Sequence, residues 1–431
     1  MSKKLFENTK LAFELKSNSS LRKSLFLFNI IKYPLIVKLG SFLTRLFLKL
    51  KLPVTPIIKN LLFDQFCVGL NEKESMVTVK RLSKFNLKSI LHYHVEGYES
   101  EESFDECLEN TINTIKSSSK TDNVPFTVFK PTGLGSLGLF YKMAQGQILD
   151  ENDKNQLRRV EKRFDLCFQT CKKYGVKILI DSEESWIQPG VDSLVEKFMI
   201  KYNKEHSLIY NTVQMYLKNK FKYLENLLIS SKKKLFVPGV KIVRGAYMEK
   251  ERSRAQKFGY DDPICKNKFA TDKNFNDALK FLVKNLKYFN IVVGSHNEES
   301  SYLLMDLMKR NKIKNNNKNI WFAQLYGMSD QISFNIASLG YNVCKLLPYG
   351  PESRVINNLK QKKWSFDNEK KALDTFNLFD FLENSKVVFN KSNTKKDSCK
   401  VYYLKGIGKY KGIIINAENC SKIVNAKMIE N

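Results

Sequence analysis

The sequence predicts an eight-stranded (β/α)8 barrel, and three observations carry that expectation. From residue 89 onward one phrase recurs: a short β-branched or aromatic run, a polar turn, then a longer stretch with helical periodicity. It recurs eight times over about 260 residues, close to the roughly 250 residues such a barrel needs. Several runs, such as VKILI and NIVVG, are almost unbroken apolar stretches, as parallel strands covered on both faces require.

In chain order the strands are expected at Ser89–Val95, Phe126–Lys130, Val176–Asp181, Leu208–Gln214, Val240–Gly245, Ile291–His296, Ile320–Tyr326 and Val343–Pro348. Between them Asn152–Lys173, Val191–Lys204, Asp272–Lys287 and Glu298–Arg310 place apolar residues three and four apart, the spacing of one helix face. An open doubly wound sheet is the competing arrangement. Residues 1–88 read as a helical, basic amphipathic segment, 89–365 as the barrel and 366–431 as a C-terminal extension. The extension contains a Lys/Asn/Ser-rich linker (Asn390–Lys400) followed by the β-like pieces VYYLKGIG and GIIIN.

The chain has 431 residues, 43% of them hydrophobic, which is enough to bury a large core. Its formal charge of +28 comes from lysines spread along the whole length, often beside asparagine, as in KRNKIKNNNKN. No compact arginine patch interleaved with aromatics accompanies it, so the charge reads as a solvated surface and no nucleic-acid partner is expected. The eight cysteines (Cys67, Cys107, Cys167, Cys171, Cys265, Cys344, Cys399 and Cys420) never form a C-x-x-C pair, a pattern of free thiols in a reducing compartment. No apolar run reaches the ~18 residues of a membrane span. Leu21–Leu52, interrupted by Lys32, Lys38, Arg45, Lys49 and Pro34, fits either a surface-lying membrane segment or a helix docked on the barrel. The first 20 residues contain Glu7 and Glu14 and no arginine, a poor match to an organellar transit peptide.

In a barrel, polar residues at the carboxyl ends of the strands line the site. Strand by strand that rim offers His92 and His94, Lys130, Asp181, Gln214, Arg244 with Tyr247, His296 with Asn297, Gln324 and Tyr349. So many together point to chemistry rather than to capping. His92 and His94, two apart on a strand, share a face and suggest a metal pair, as in a metal-dependent hydrolase. The chain has only four histidines, and a full ligand set would have to recruit carboxylates, so no metal is expected. Gly133, Gly135 and Gly138 match G-x-G-x-x-G, but no acidic residue ends a strand about 20 residues on, so they read as a flexible loop.

The rim residues lie in ILIDSEESWIQPG, YNTVQMYLK, KIVRGAYMEKER, GSHNEES, FAQLYGMSDQISF and LLPYGP, with FCVGLNEKES and SILHYHVEG upstream. In this order these motifs resemble the strand-end motifs of eukaryotic proline dehydrogenases over residues 60–360. The resemblance implies a barrel that holds FAD without a Rossmann fold. It also implies oxidation of L-proline to Δ1-pyrroline-5-carboxylate by hydride transfer from C5 to flavin N5, electrons passing to a membrane quinone, and a mitochondrial inner-membrane or matrix location.

By the same resemblance Gln214, Lys241, Val243, Arg244, His296 and Gln324 fall where the family contacts FAD. Lys130 meets the substrate carboxylate, Asp181 lies at the substrate end of the flavin, and Tyr247 and Leu325 pack on the substrate ring. Two departures stand out. The family's adjacent arginine pair aligns with Gln361 and Lys362, followed by Lys363, so the planar fork that grips a carboxylate bidentately is missing. A family tyrosine beside the substrate ring is Leu346 here. The flavin half of the site is expected intact and the substrate half altered, which admits a different imino acid or amine as substrate, or a flavin-binding protein with little activity.

Overall fold

The computed structural model describes residues 5–31, 33, 39–40, 64–93, 99–350, 399–404 and 411–416. Eight parallel strands close on themselves: β1 (Leu87–Tyr93), β2 (Phe126–Phe129), β3 (Lys177–Ile180), β4 (Ile209–Gln214), β5 (Gly239–Val243), β6 (Asn290–Gly294), β7 (Ile320–Leu325) and β8 (Val343–Tyr349). Each pairs with the next, and β8 returns to β1 along its whole length, from Leu87 opposite Val343 to Tyr93 opposite Tyr349. A closed barrel, not the open sheet, is therefore the architecture. β1 starts two residues earlier than the sequence suggests, because Leu87 and Lys88 already pair with β8; the charge on Lys88 hides this.

Alternation along the strands separates two apolar cores. One phase points into the barrel and includes Ile90, Phe126, Val128, Leu179, Tyr210, Val292, Trp321, Ala323, Cys344 and Leu346. The other phase, including Leu91, Phe129, Ile178, Ile180, Val213, Ile242, Val293 and Phe322, packs outward against the helices. The long helix Glu151–Tyr174 shows how the sequence sets such an element. Asp150 and Asp153 form a reciprocal capping box at its start, and Gly175 ends it in the left-handed conformation (φ 69°), turning the chain into β3.

The N-terminal helices lie against one flank. Lys16 reaches Asp330 at 3.6 Å, Asn335 donates to the Asn8 carbonyl at 3.1 Å, and Phe6 packs against Tyr302 with tilted rings 4.5 Å apart between centroids. Of Leu21–Leu52, where a membrane-lying segment and a docked helix are the alternatives, most lies outside the described residues; within it Ser24 donates to Gln65 at 2.6 Å. Among the described residues no helix is long and apolar enough to cross a membrane. In the C-terminal extension, Cys399–Leu404 and Lys411–Asn416 pair as an antiparallel hairpin, β9 and β10, where β-like pieces are expected.

Candidate active site

Because all eight strands are parallel, their carboxyl ends meet at one mouth, and following the inward phase there turns the lining from apolar to ionic. His92 stands two residues beyond Ile90, and Asp181 two beyond Leu179. Lys130 stands two beyond Val128, and Thr212 and Gln214 two and four beyond Tyr210. Lys241 enters from β5. Lys130, His92, Gln214 and Lys241 are all buried. Asp181 forms an ion pair with the Lys241 ammonium and receives a longer contact from the Thr212 hydroxyl at 3.4 Å. Lys130 donates to the Tyr247 hydroxyl at 3.2 Å, so the residue that opens the helix after β5 fixes the end of β2.

The charges of the cluster set one another. Burial pushes the Asp181 carboxyl up, but Lys241, His92 and Lys130 outweigh it and hold the group below its ordinary value, so it stays ionised. His92 goes the other way: burial, with Lys130 and Lys241 adding to it and Asp181 opposing, pushes it down to about 3. It is a neutral imidazole at physiological pH.

The expected cofactor residues divide into two groups. Gln214 lies in the mouth, but its amide is already engaged: it donates to the Glu183 carbonyl at 2.7 Å and to Ser182 at 3.1 Å, and accepts from the Ala246 amide at 3.0 Å. The Val243 carbonyl is used by the Met215 amide at 2.8 Å. Arg244 turns to the β6 side, where it meets Asp272 at 2.7 Å, Ser295 at 3.0 Å and Ser300 at 2.9 Å over the Phe275 ring. His296 shares a hydrogen with the Ser329 hydroxyl at 2.9 Å, and burial pushes its pKa down to about 3.

Gln324 falls in the opposite phase to Ala323 and Leu325. Its amide donates to the Ser295 carbonyl at 3.1 Å and accepts from Ser333 at 2.9 Å. It braces the barrel wall instead of lining the mouth, a correction to its expected place at the cofactor. Leu325 and Leu346 do face inward and pack together with Ala323 in the interior cluster. His94, Gln361, Lys362 and Lys363 lie outside the described residues.

The metal-pair alternative gains no support, and one further expectation is revised. Among the described residues no three metal-ligating side chains gather, and His92 is surrounded by two lysines and one aspartate instead. The glycine motif is not merely a flexible loop: a Cβ on Gly135 would come within 2.5 Å of Val160 and 3.1 Å of Phe140, so close packing demands glycine there. The residue-by-residue reading missed Thr212 and Lys345. Thr212 is recoverable by stepping back two from Gln214. Lys345 is hidden because nothing in the sequence announces that a lysine on the outer phase of β8 is wholly buried against Asp330 at 2.7 Å.

Comparison with known proteins bears on this mouth and barrel. The proline dehydrogenase family profile matches residues 75–360. "Proline dehydrogenase 1, mitochondrial" of Dictyostelium discoideum is 34% identical over 352 residues, covering 72% of this chain and 62% of that protein. The "Carbapenem antibiotics biosynthesis protein CarD" of Pectobacterium carotovorum subsp. carotovorum is also 34% identical, over 279 residues that make up 65% of this chain and 72% of it. A crystal structure of proline utilization A from Bdellovibrio bacteriovorus shares the fold, with a TM-score of 0.63 at 18% identity, over 86% of this chain and 41% of that one. The chain thus spans less than two thirds of the Dictyostelium protein and under half of the solved one, but its barrel is matched nearly throughout: it belongs to the proline dehydrogenase family.

Proposed function

We propose that this chain oxidises L-proline to Δ1-pyrroline-5-carboxylate with FAD as its cofactor, passes the electrons to a quinone, and works in the mitochondrion at the inner membrane or in the matrix. The observation that carries the reading is the set of buried Lys130, Lys241 and His92 around the half-buried Asp181 at the barrel mouth, with Tyr247 locked to Lys130. The mitochondrial location rests on family names such as that of the Dictyostelium protein.

The donor set fits a flavin dinucleotide. Lys241, Arg244, Lys268 and Lys130 supply cations, with Asp181 held by Lys241 and Asp272 shared by Arg244 and Lys268, a set suited to an incoming pyrophosphate and a substrate carboxylate. Lys241, Gln214 and the end of β5 would hold the ring system, with Arg244 and His296 toward the phosphates. When bound, FAD supplies the two-electron acceptor for the hydride leaving the carbon beside the ring nitrogen.

The chain's own residues prepare the substrate. The Lys130 ammonium, oriented by Tyr247, binds the carboxylate. Asp181 stays anionic through Lys241 and faces the cationic end of the amino acid. Neutral His92 adds no charge to this balance. Leu325, Leu346 and the Tyr247 ring exclude water from the reacting carbon. The apolar Leu346 wall favours as second reading another imino acid or amine. The test is steady-state turnover of flavin-loaded protein with L-proline and a soluble quinone, beside other cyclic imino acids. Turnover of proline supports the first reading; turnover of only another ring supports the second.

A further inference from the structure

The carboxylate of Glu183, two residues beyond Asp181, is buried and receives two hydrogen bonds from one residue: the Thr132 amide at 2.9 Å and the Thr132 hydroxyl at 2.6 Å. Thr132 sits two residues beyond Lys130, in the short 3-10 turn Pro131–Gly133 that Lys130 opens. The backbone of Glu183 is anchored in turn. Its amide donates to Gln188 at 2.9 Å, and its carbonyl accepts from Gln214 at 2.7 Å. Gln188 donates to Asp192, which holds Lys220 in a buried ion pair at 2.6 Å and also accepts from Asn211 on β4. The β2 turn is thus fastened, through one carboxylate, to a rigid polar network behind β3 and β4.

We propose that Glu183 is a positioning residue for Lys130, setting where its ammonium stands relative to Asp181 and so the affinity of the site for a carboxylate-bearing substrate. The proposal rests on the functional reading above for its substrate, but not for its geometry. Charge-assisted hydrogen bonds to a buried carboxylate are among the stronger ones, and losing both frees the turn that carries Lys130, while the Lys130–Tyr247 hydrogen bond is left in place.

Two variants test it. Glu183→Ala removes the carboxylate, and Thr132→Val removes one of its two hydrogen bonds with nearly unchanged shape. The expected result is a KM for L-proline raised on the order of tenfold or more in Glu183→Ala and severalfold in Thr132→Val, with kcat changed less than KM and flavin content unaltered. Glu183→Gln, which still offers an oxygen to Thr132, should recover part of the loss. Hydrogen exchange of the Thr132 amide gives a readout independent of turnover: it should be slow in the parent protein and fast in Glu183→Ala. Parent protein that ignores proline overturns the functional reading alone, and the exchange result still decides the positioning. Unchanged exchange and a KM within about twofold of the parent in both variants would overturn the proposal.

Discussion

The two ends of the barrel interior are built by the same alternation and do opposite things. At the amino end Phe126 meets Tyr210 and Trp321 edge to face, each at 5.3 Å, closing the barrel with a plug of aromatic rings. Four residues along the chain from Phe126 stands Lys130, and the carboxyl end holds two buried lysines, a buried histidine and a half-buried aspartate. Burial at the first end contributes stability. At the second it costs stability and is tolerated because the charges compensate one another, which is the mark of a site kept for chemistry.

That contrast can be broken by experiment, and the largest effect belongs to the plug. Phe126→Ala should lower unfolding free energy by about 3–5 kcal/mol while leaving the KM for L-proline near its original value, as denaturant unfolding beside kinetics would show. A large KM change without loss of stability would erase the distinction between the ends.

The next effect is acidic. Between the ordinary histidine value of 6.5 and about 3, the unfolded chain protonates His92 and the folded chain does not. Stability should therefore fall as pH drops through that window, at about 1.4 kcal/mol per pH unit for this one group. His92→Gln should flatten that slope in a pH series of melting curves. Depression of the Asp181 carboxyl works in the same direction further down: its contribution is complete above the unfolded value of 3.8 and is lost as pH falls through the lower folded one.

Smaller effects separate the two halves of the mouth. Lys130→Ala should reduce kcat/KM for L-proline on the order of 10–100-fold, mainly through KM, with flavin content unchanged. Arg244→Ala should weaken flavin retention by roughly tenfold, the scale of one charge-assisted contact, leaving Asp272 to Lys268; flavin released on dilution measures it. If Lys130→Ala released flavin and Arg244→Ala did not, the assignment of the two halves would be inverted.

How much of this was legible follows from what a sequence can encode locally. Apolar runs such as KILI and NIVVG need only their own composition to declare buried parallel strands, so all eight strands were placed within two residues at both ends. The mouth was legible where a charged or polar residue directly ends an apolar run, as at Lys130, Asp181 and Gln214. Gln324 misled because a one-residue change of phase sends a side chain to the opposite face, and the end of β7 does not announce its phase. Glu183 was invisible for a different reason. Its importance lies in Thr132, 51 residues away, and only the closed barrel brings the two together.

The most direct test of the central claim is anaerobic mixing of the FAD-loaded protein with L-proline while flavin absorbance is followed. The account requires bleaching at a rate that saturates with proline and falls sharply in Lys130→Ala. Firmly bound flavin that stays oxidised in excess proline would contradict it, and would mean that the buried charges of this mouth serve a different substrate.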